Sequence, residues 1–390
     1  MAVGLISYSL YLWHFPIFAF SRMSNIAPDG FDKLGWIVLA LGLACLSYFL
    51  IERPFRTAGT ISMRWMIVSL GALFSAIIAF QLTSLGTNGF ESRIPEIFET
   101  EKLSEKPWDN LKDEDGKRCF RRSNFCKFGD DASKSVHLIG DSHMASIQSD
   151  LVKRLSDKFK VSVMTFSGCW PMLDTNRYKV NGALDSGCTA AYQRLRIDEI
   201  LKTDDSIVIL AGRLPLYLTR RYFDNAEGGR EKGKHGGDTK RFEPIDGASR
   251  EDKIVESLKL LMDKSHKVIV VYPIPEVGVN VPKRLLALEK PKKTDLTNWL
   301  GKNRLTTDFQ VYKDRTKSAF ELLDGIEHEN LYRVYPHELF CDNQLKGRCV
   351  TYDDKHIFYA DDDHPSRKGA EMINDLIIEK VDEISGSGSR

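Results

Sequence analysis

The sequence has almost no net charge. Its 55 Lys and Arg stand against 54 Asp and Glu, a formal charge of +1 at pH 7. A general nucleic-acid binder carries a basic excess, so no nucleic-acid partner is expected. There is no C-x-x-C pair and no His-rich spacing of the kind that holds zinc, and no metal site is expected. No Gly-rich nucleotide-binding loop is present, and no internal repeat. The first apolar stretch begins at Met1 without a basic n-region, so a cleaved signal peptide is not expected. Residues 71–80 contain small residues but no G-x-x-x-G, so nothing argues for helix dimerisation there.

Charge is also scarce locally. Residues 1–82 are strongly apolar, and the rest has the polarity of a soluble protein. Three 18-residue stretches, 3–20, 34–51 and 65–82, carry almost no charge. Each is close to the ~20 residues that cross about 30 Å of hydrocarbon, so three transmembrane helices are expected. The first is rich in Ser, Tyr and Trp and suits packing among other helices. The loop between the second and third stretches has Arg53, Arg56 and Arg64, whereas the loop before it has Arg22 and Lys33. The positive-inside rule puts the more basic loop in the cytoplasm and everything after residue 82 outside.

The cysteines test that placement independently. Cys45 lies in an apolar stretch. The other six fall into local groups: Cys119 with Cys126, Cys169 with Cys188, and Cys341 with Cys349. An even set in a soluble region suits disulfides in an oxidising compartment, although sequence does not fix their pairing.

Residues 83–134 are polar and irregular and are expected to form a periplasmic linker. From 135 to 384 the pattern is β/α. Apolar runs at 135–140, 160–166, 206–212, 267–275 and 331–336 alternate with helical spacing at 144–158, 188–202, 250–264 and 366–381. That alternation predicts an α/β fold with a doubly wound parallel sheet. A Gly- and charge-rich insert at 224–249 and a Lys-rich segment at 282–318 are expected as loops or small excursions. The tail at 385–390 is expected as a flexible end.

In such sheets ligands bind at the carboxyl ends of the strands. "VHLIGDSHMASI" (136–147) puts Ser142 at the end of the first strand and the start of the first helix. Unpaired N–H groups and the positive helix end there favour an oxyanion. Ser and Asp are also ordinary helix caps, so the serine needs a base and the base an orienter. "YADDDHPSRKGAEMI" (359–373) has His364 just before the last helix, with Ser366 as its cap and Asp361 three residues back. A tight turn there brings the carboxylate onto Nδ1 and leaves Nε2 for the serine. His143 is expected to pack or cap locally.

"GDS" after the first strand and "D-x-x-H" before the last helix resemble the SGNH or GDSL hydrolases, over roughly 135–383. The resemblance implies a flavodoxin-type three-layer sandwich and a triad of Ser142, Asp361 and His364. It also implies an oxyanion hole from the Ser142 and Gly168 N–H groups and an asparagine side chain. The asparagine is missing: "ILAGRLPLY" has Gly212 and Arg213 where Gly-x-Asn is expected. Either Arg213 supplies the third donor or the hole relies on backbone alone.

"GLISYSLYLWHFPI" (4–17), with a later helix ending "IERPFR" (51–56), resembles the last helices of the acyltransferase family 3 membrane domain. In some bacterial members that domain is joined, through one extra helix, to a periplasmic SGNH domain. The resemblance implies a multi-pass protein of the bacterial inner membrane that O-acetylates cell-surface polysaccharide, such as lipopolysaccharide O-antigen. Acetyl-CoA would be the cytoplasmic donor to the complete membrane domain, and this chain would bind no cofactor. The acceptor would be a polysaccharide or lipid-linked glycan. Only the last helices of the membrane domain are present, so truncation is expected, or another chain that supplies the rest. A membrane-anchored carbohydrate O-acetyl esterase and a non-catalytic glycan-positioning domain are the alternative readings.

Overall fold

The computed structural model describes residues 2–24, 30–57, 62–87, 89, 106–129, 132–231, 239–287 and 305–386. Parts of the expected linker (88, 90–105 and 130–131), of the two inserts (232–238 and 288–304) and of the tail (387–390) lie outside them. The chain divides into two compact units, residues 1–95 with 286–290, and the remainder.

In the first unit, helix α1 (Ala2–Ser24) packs on α2 (Gly30–Ser47). Phe18 meets Trp36 edge-on at 5.7 Å, Trp13 Nε1 donates to Ser47 Oγ at 2.7 Å, and Ser9 Oγ donates to Glu52 at 2.8 Å. Helix α3 (Met63–Gly86) buries none of its side chains. Among the described residues two helices, Gly30–Arg56 and Met63–Gly86, are long and apolar enough to cross a membrane. This corrects the expected three. The first stretch is helical, but Ser7, Ser9, His14, Pro16 and Ser21 dilute its apolar run.

The second unit is built on a six-stranded sheet: β1 (Cys126–Phe128), β2 (Ser135–Gly140), β3 (Lys160–Thr165), β4 (Ile207–Ala211), β5 (Lys267–Val271) and β6 (Leu331–Val334). Their order is β1-β3-β2-β4-β5-β6. The last five pair in parallel, and β1 joins the β3 edge antiparallel, so the sheet is mixed. The parallel strands follow the flavodoxin-like order, whose switch point lies between β2 and β4. Leu138, Ile139, Val208, Ile209, Val268 and Ile269 are buried, as befits strands covered on both faces.

Helices α4 (Ser142–Leu155) and α8 (Arg367–Ser385) pack together over one face. Each buries a stripe at helical spacing, Ile147, Leu151 and Leu155 on α4 and Ile373, Ile377 and Val381 on α8. Helices α5 (Ala190–Ile200), α6 (Arg250–Asp263) and α7 (Phe309–Asp324) cover the other through Ile197, Leu258 and Ala319.

Two expectations change here. Strand β1 lies inside the stretch read as linker, and a 3-10 turn at Pro107–Asp109 packs against α4. A strand of three residues with one charged member leaves too short an alternation to read. The Lys-rich segment read as loop (282–318) overlaps the first ten residues of helix α7, whose buried side of Tyr312, Thr316, Ala319 and Leu323 is half polar or small. Within the Gly-rich insert, Arg241–Pro244 pairs with Thr175–Tyr178 in the loop after β3.

Candidate active site

Strand β2 ends on Gly140 because nothing larger fits: a Cβ there would lie 2.0 Å from the Ala211 carbonyl oxygen. The chain turns and α4 begins at Ser142. Asp141 is the cap, its Oδ1 accepting the His143 N–H at 2.7 Å. Its Oδ2 accepts the Arg213 N–H at 2.8 Å and the Tyr217 hydroxyl, tying the β2 turn to the β4 turn across the switch point. Gly212 permits that approach, since a Cβ would meet Asp141 Oδ2 at 2.9 Å and Trp170 at 2.6 Å. Burial and the adjacent Asp141 push the Tyr217 hydroxyl well above the ordinary tyrosine range, so it stays a donor.

His364 reaches Ser142 from the turn before α8. Its Nε2 lies 2.9 Å from Ser142 Oγ, and its Nδ1 lies 2.9 Å from Asp361 Oδ2. Asp361 also shapes the turn, its Oδ1 accepting the N–H groups of Asp363 and His364 at 3.0 and 2.8 Å. Trp108 packs 4.6 Å from the imidazole on one side and His143 5.1 Å on another. Burial opposes a charge on His364, yet Asp363 and Asp361 overcome it and hold its pKa well above the usual histidine range.

Asp363 is buried and faces three donors. Its Oδ1 is 3.0 Å from His364 Nδ1, and its Oδ2 is 3.0 Å from both His143 Nε2 and an Arg213 terminal nitrogen. Burial raises its pKa, but Arg213 and His364 outweigh that and hold it well below the carboxylate range. Arg213 also meets Glu231 and Glu276, and Glu276 is gripped by Arg315 at 2.6 Å. Asp362 differs: burial and the charges of Asp363 and Asp361 push it up to about 7. His143, Asp363 and His364 offer ligand atoms within 4.8 Å of one another, as do Asp361, Asp362 and Asp363. The His143–Asp363–His364 contacts are already hydrogen-bonded pairs.

Gly168 follows β3 with φ of 60°, a conformation natural to glycine. Arg177, buried, donates to the carbonyls of Ser167 and Gly168 and pairs with Asp185 at 2.8 Å. The two carbonyls are therefore occupied. Among the described residues the N–H groups of Ser142 and Gly168 have no acceptor.

Over residues 111–379 the sequence matches the family described as "SGNH domain (fused to AT3 domains)". The chain belongs to this family. Among solved structures, this SGNH chain resembles the periplasmic domain of a lipopolysaccharide acetyltransferase from Salmonella ser. Paratyphi A, with TM-score 0.41 and 16% identity over 65% of this chain and 85% of that one. It resembles a GDSL-like lipase from Bacteroides thetaiotaomicron VPI-5482, with TM-score 0.30 and 12% identity over 64% and 88%. It also resembles an active-site mutant of a family two carbohydrate esterase from Clostridium thermocellum, with TM-score 0.28 and 11% identity over 65% and 65%. No curated protein matches the sequence.

Within the SGNH domain, Ser142, His364 and Asp361 come together, and Gly168 sits after β3 with its N–H unpaired. Arg213 stands at the β4 end but does not offer an oxyanion donor. Nε and the two terminal nitrogens make five carboxylate contacts with Glu231, Glu276 and Asp363, using the guanidinium's full set of N–H groups. His143 does more than cap: its ring is buried on Asp363, with Nδ1 lacking any partner.

Sequence reasoning missed Asp363 and Trp108. Three consecutive aspartates look alike until a fold buries one of them. A lone tryptophan in a polar stretch is the only signal for Trp108. The described cysteines pair as Cys119–Cys126, Cys169–Cys188 and Cys341–Cys349. The second disulfide adjoins Gly168, and Cys45 is free.

Proposed function

We propose that the SGNH domain transfers an acyl group, acetyl in the simplest case, to a hydroxyl of a cell-surface polysaccharide through an acyl-serine at Ser142. The observation that carries this is the 2.9 Å contact between Ser142 Oγ and His364 Nε2, with a carboxylate on Nδ1. As Oγ attacks the donor's carbonyl carbon, Nε2 takes the hydroxyl proton and then gives it to the leaving group. Charge on the carbonyl oxygen is met by the free N–H groups of Ser142 and Gly168. A sugar hydroxyl then gives its proton to His364 and attacks the acyl carbon. The Ser142–acyl bond breaks and the serine recovers its proton, so protons balance over the cycle. Asp361 holds the imidazole with Nε2 toward the serine.

We further infer that the chain sits in the bacterial inner membrane with the SGNH domain in the periplasm. Two long apolar helices and three disulfides support that disposition. On this reading, acetyl-CoA is the acyl donor on the cytoplasmic side and a lipid-linked glycan or polysaccharide is the acceptor. The family's fusion to AT3 domains favours transfer over hydrolysis.

The test is p-nitrophenyl acetate turnover by the full chain in detergent, with and without an oligosaccharide acceptor, beside Ser142→Ala. Ser142-dependent release that acceptor diverts into a sugar ester is the expected result. Release that sugar does not divert makes the protein an esterase. Turnover equal in Ser142→Ala and the parent sinks the acyl-serine.

A further inference from the structure

His364 Nδ1 carries one proton and faces two carboxylates, Asp361 at 2.9 Å and Asp363 at 3.0 Å. The two are not equivalent. Asp361 has a side chain 21% exposed, and one of its oxygens builds the turn. Asp363 is 6% exposed and is fixed from three directions by His364, His143 and Arg213. A charge shielded from water acts more strongly on its neighbour. A carboxylate accepts only, so His143 donates from Nε2, and its bare Nδ1 is the unpartnered buried atom. Arg213 is itself clamped by Glu231 and Glu276, and Glu276 by Arg315 on α7.

We propose that Asp363 is a second orienting carboxylate of His364, and that Arg213 works through Asp363 as a positioning residue. The inference rests on the acyl-serine reading above. It accounts for the departure at the β4 turn: the residue found where an oxyanion donor is expected supports the acid beside the base instead. When His364 takes the Ser142 proton, the imidazolium faces two anions. With Asp361 removed, Asp363 still holds Nδ1–H and the ring.

The groups facing His364 are Asp361, Asp362 and Asp363 on its own turn, and His143 and Ser142 on α4. Behind Asp363 stand Arg213 and Glu231 after β4, Glu276 after β5, and Arg315. Because burial and its aspartate neighbours push Asp362 up to about 7, pH profiles are read in an Asp362→Asn background.

The experiment compares Asp361→Asn, Asp363→Asn, the double variant, Arg213→Gln and Arg213→Lys by kcat/KM for p-nitrophenyl acetate, using the full chain in detergent. Loss of a sole orienting aspartate costs about 10⁴-fold. Each single carboxylate variant should lose on the order of 10²-fold and the double about 10⁴-fold, in kcat with KM little changed. Asp363→Asn should move the acidic limb to lower pH, whereas Arg213→Gln should lower kcat and Arg213→Lys should restore part of that loss. Asp361→Asn alone at the level of the double, with the limb unmoved in Asp363→Asn, overturns the proposal. Should Asp363→Asn not fold, Asp361→Asn decides: a rate well above that of Ser142→Ala upholds it, and a fall to that level overturns it. If Ser142→Ala keeps full turnover, the acyl-serine reading has failed separately. NMR titration of the His364 imidazole then decides the carboxylate question: a lower pKa in Asp363→Asn upholds it, and an unchanged one overturns it.

Discussion

The two units solve the hydrophobic problem in opposite directions. In the SGNH unit Leu138 is 0% exposed at the sheet centre, whereas Leu73 of α3 is 59% exposed. Water alone explains the first arrangement. The second is stable only in a solvent as apolar as the side chain, or against helices of like character. The lesson is that one chain carries two opposite apolar arrangements. Polar chemistry concentrates in the unit that has excluded water, where ion pairs such as Arg213–Asp363 are strong.

The sharpest way to break this comparison is to make one substitution in both units. Leu138→Ala should destabilise the SGNH unit by about 2–5 kcal/mol, read as a lower denaturant midpoint of its cooperative transition. Removing the Cys169–Cys188 crosslink, which joins residues 19 apart, should cost roughly 3 kcal/mol. It should lower the melting temperature of that unit and leave the helicity of residues 1–87 in detergent unchanged.

Ionisation gives a milder test. On the acyl-serine proposal His364 must be neutral to accept the serine proton, and its pKa is raised by Asp363 and Asp361. Activity should therefore rise with pH through a limb above the ordinary histidine value of about 6.5 and be lost as pH falls through it. A limb below that value would contradict the charge arrangement described. The smallest expected effect is Leu73→Ala, which should move the SGNH transition by under ~0.5 kcal/mol. A larger shift would mean that the two units share stability.

The five parallel strands were legible because buried parallel strands are continuous β-branched runs with helical spacing between them. Ser142, Asp361 and His364 were legible because two short motifs flank those elements. The remainder depends on distance. Arg213 finds Glu276 across 63 positions and His143 finds Asp363 across 220, and no local pattern marks such pairs. Helix α7 was hidden because its buried side is half polar, and β1 because a strand of three residues has no period. The first span was overcounted because its 18 residues carry almost no charge, while its Ser, His and Pro residues lower its hydropathy below that of a spanning helix.

One contact has a consequence in time. Ser142 and His364 are 222 residues apart in the chain. A chain made from its N-terminus at about 5–20 residues per second presents Ser142 roughly 10–45 s before His364 is made. During that interval the serine is an ordinary alcohol. The Ser142–His364 contact forms only when the turn before the last helix docks, so the site is incomplete until nearly the whole chain has been made.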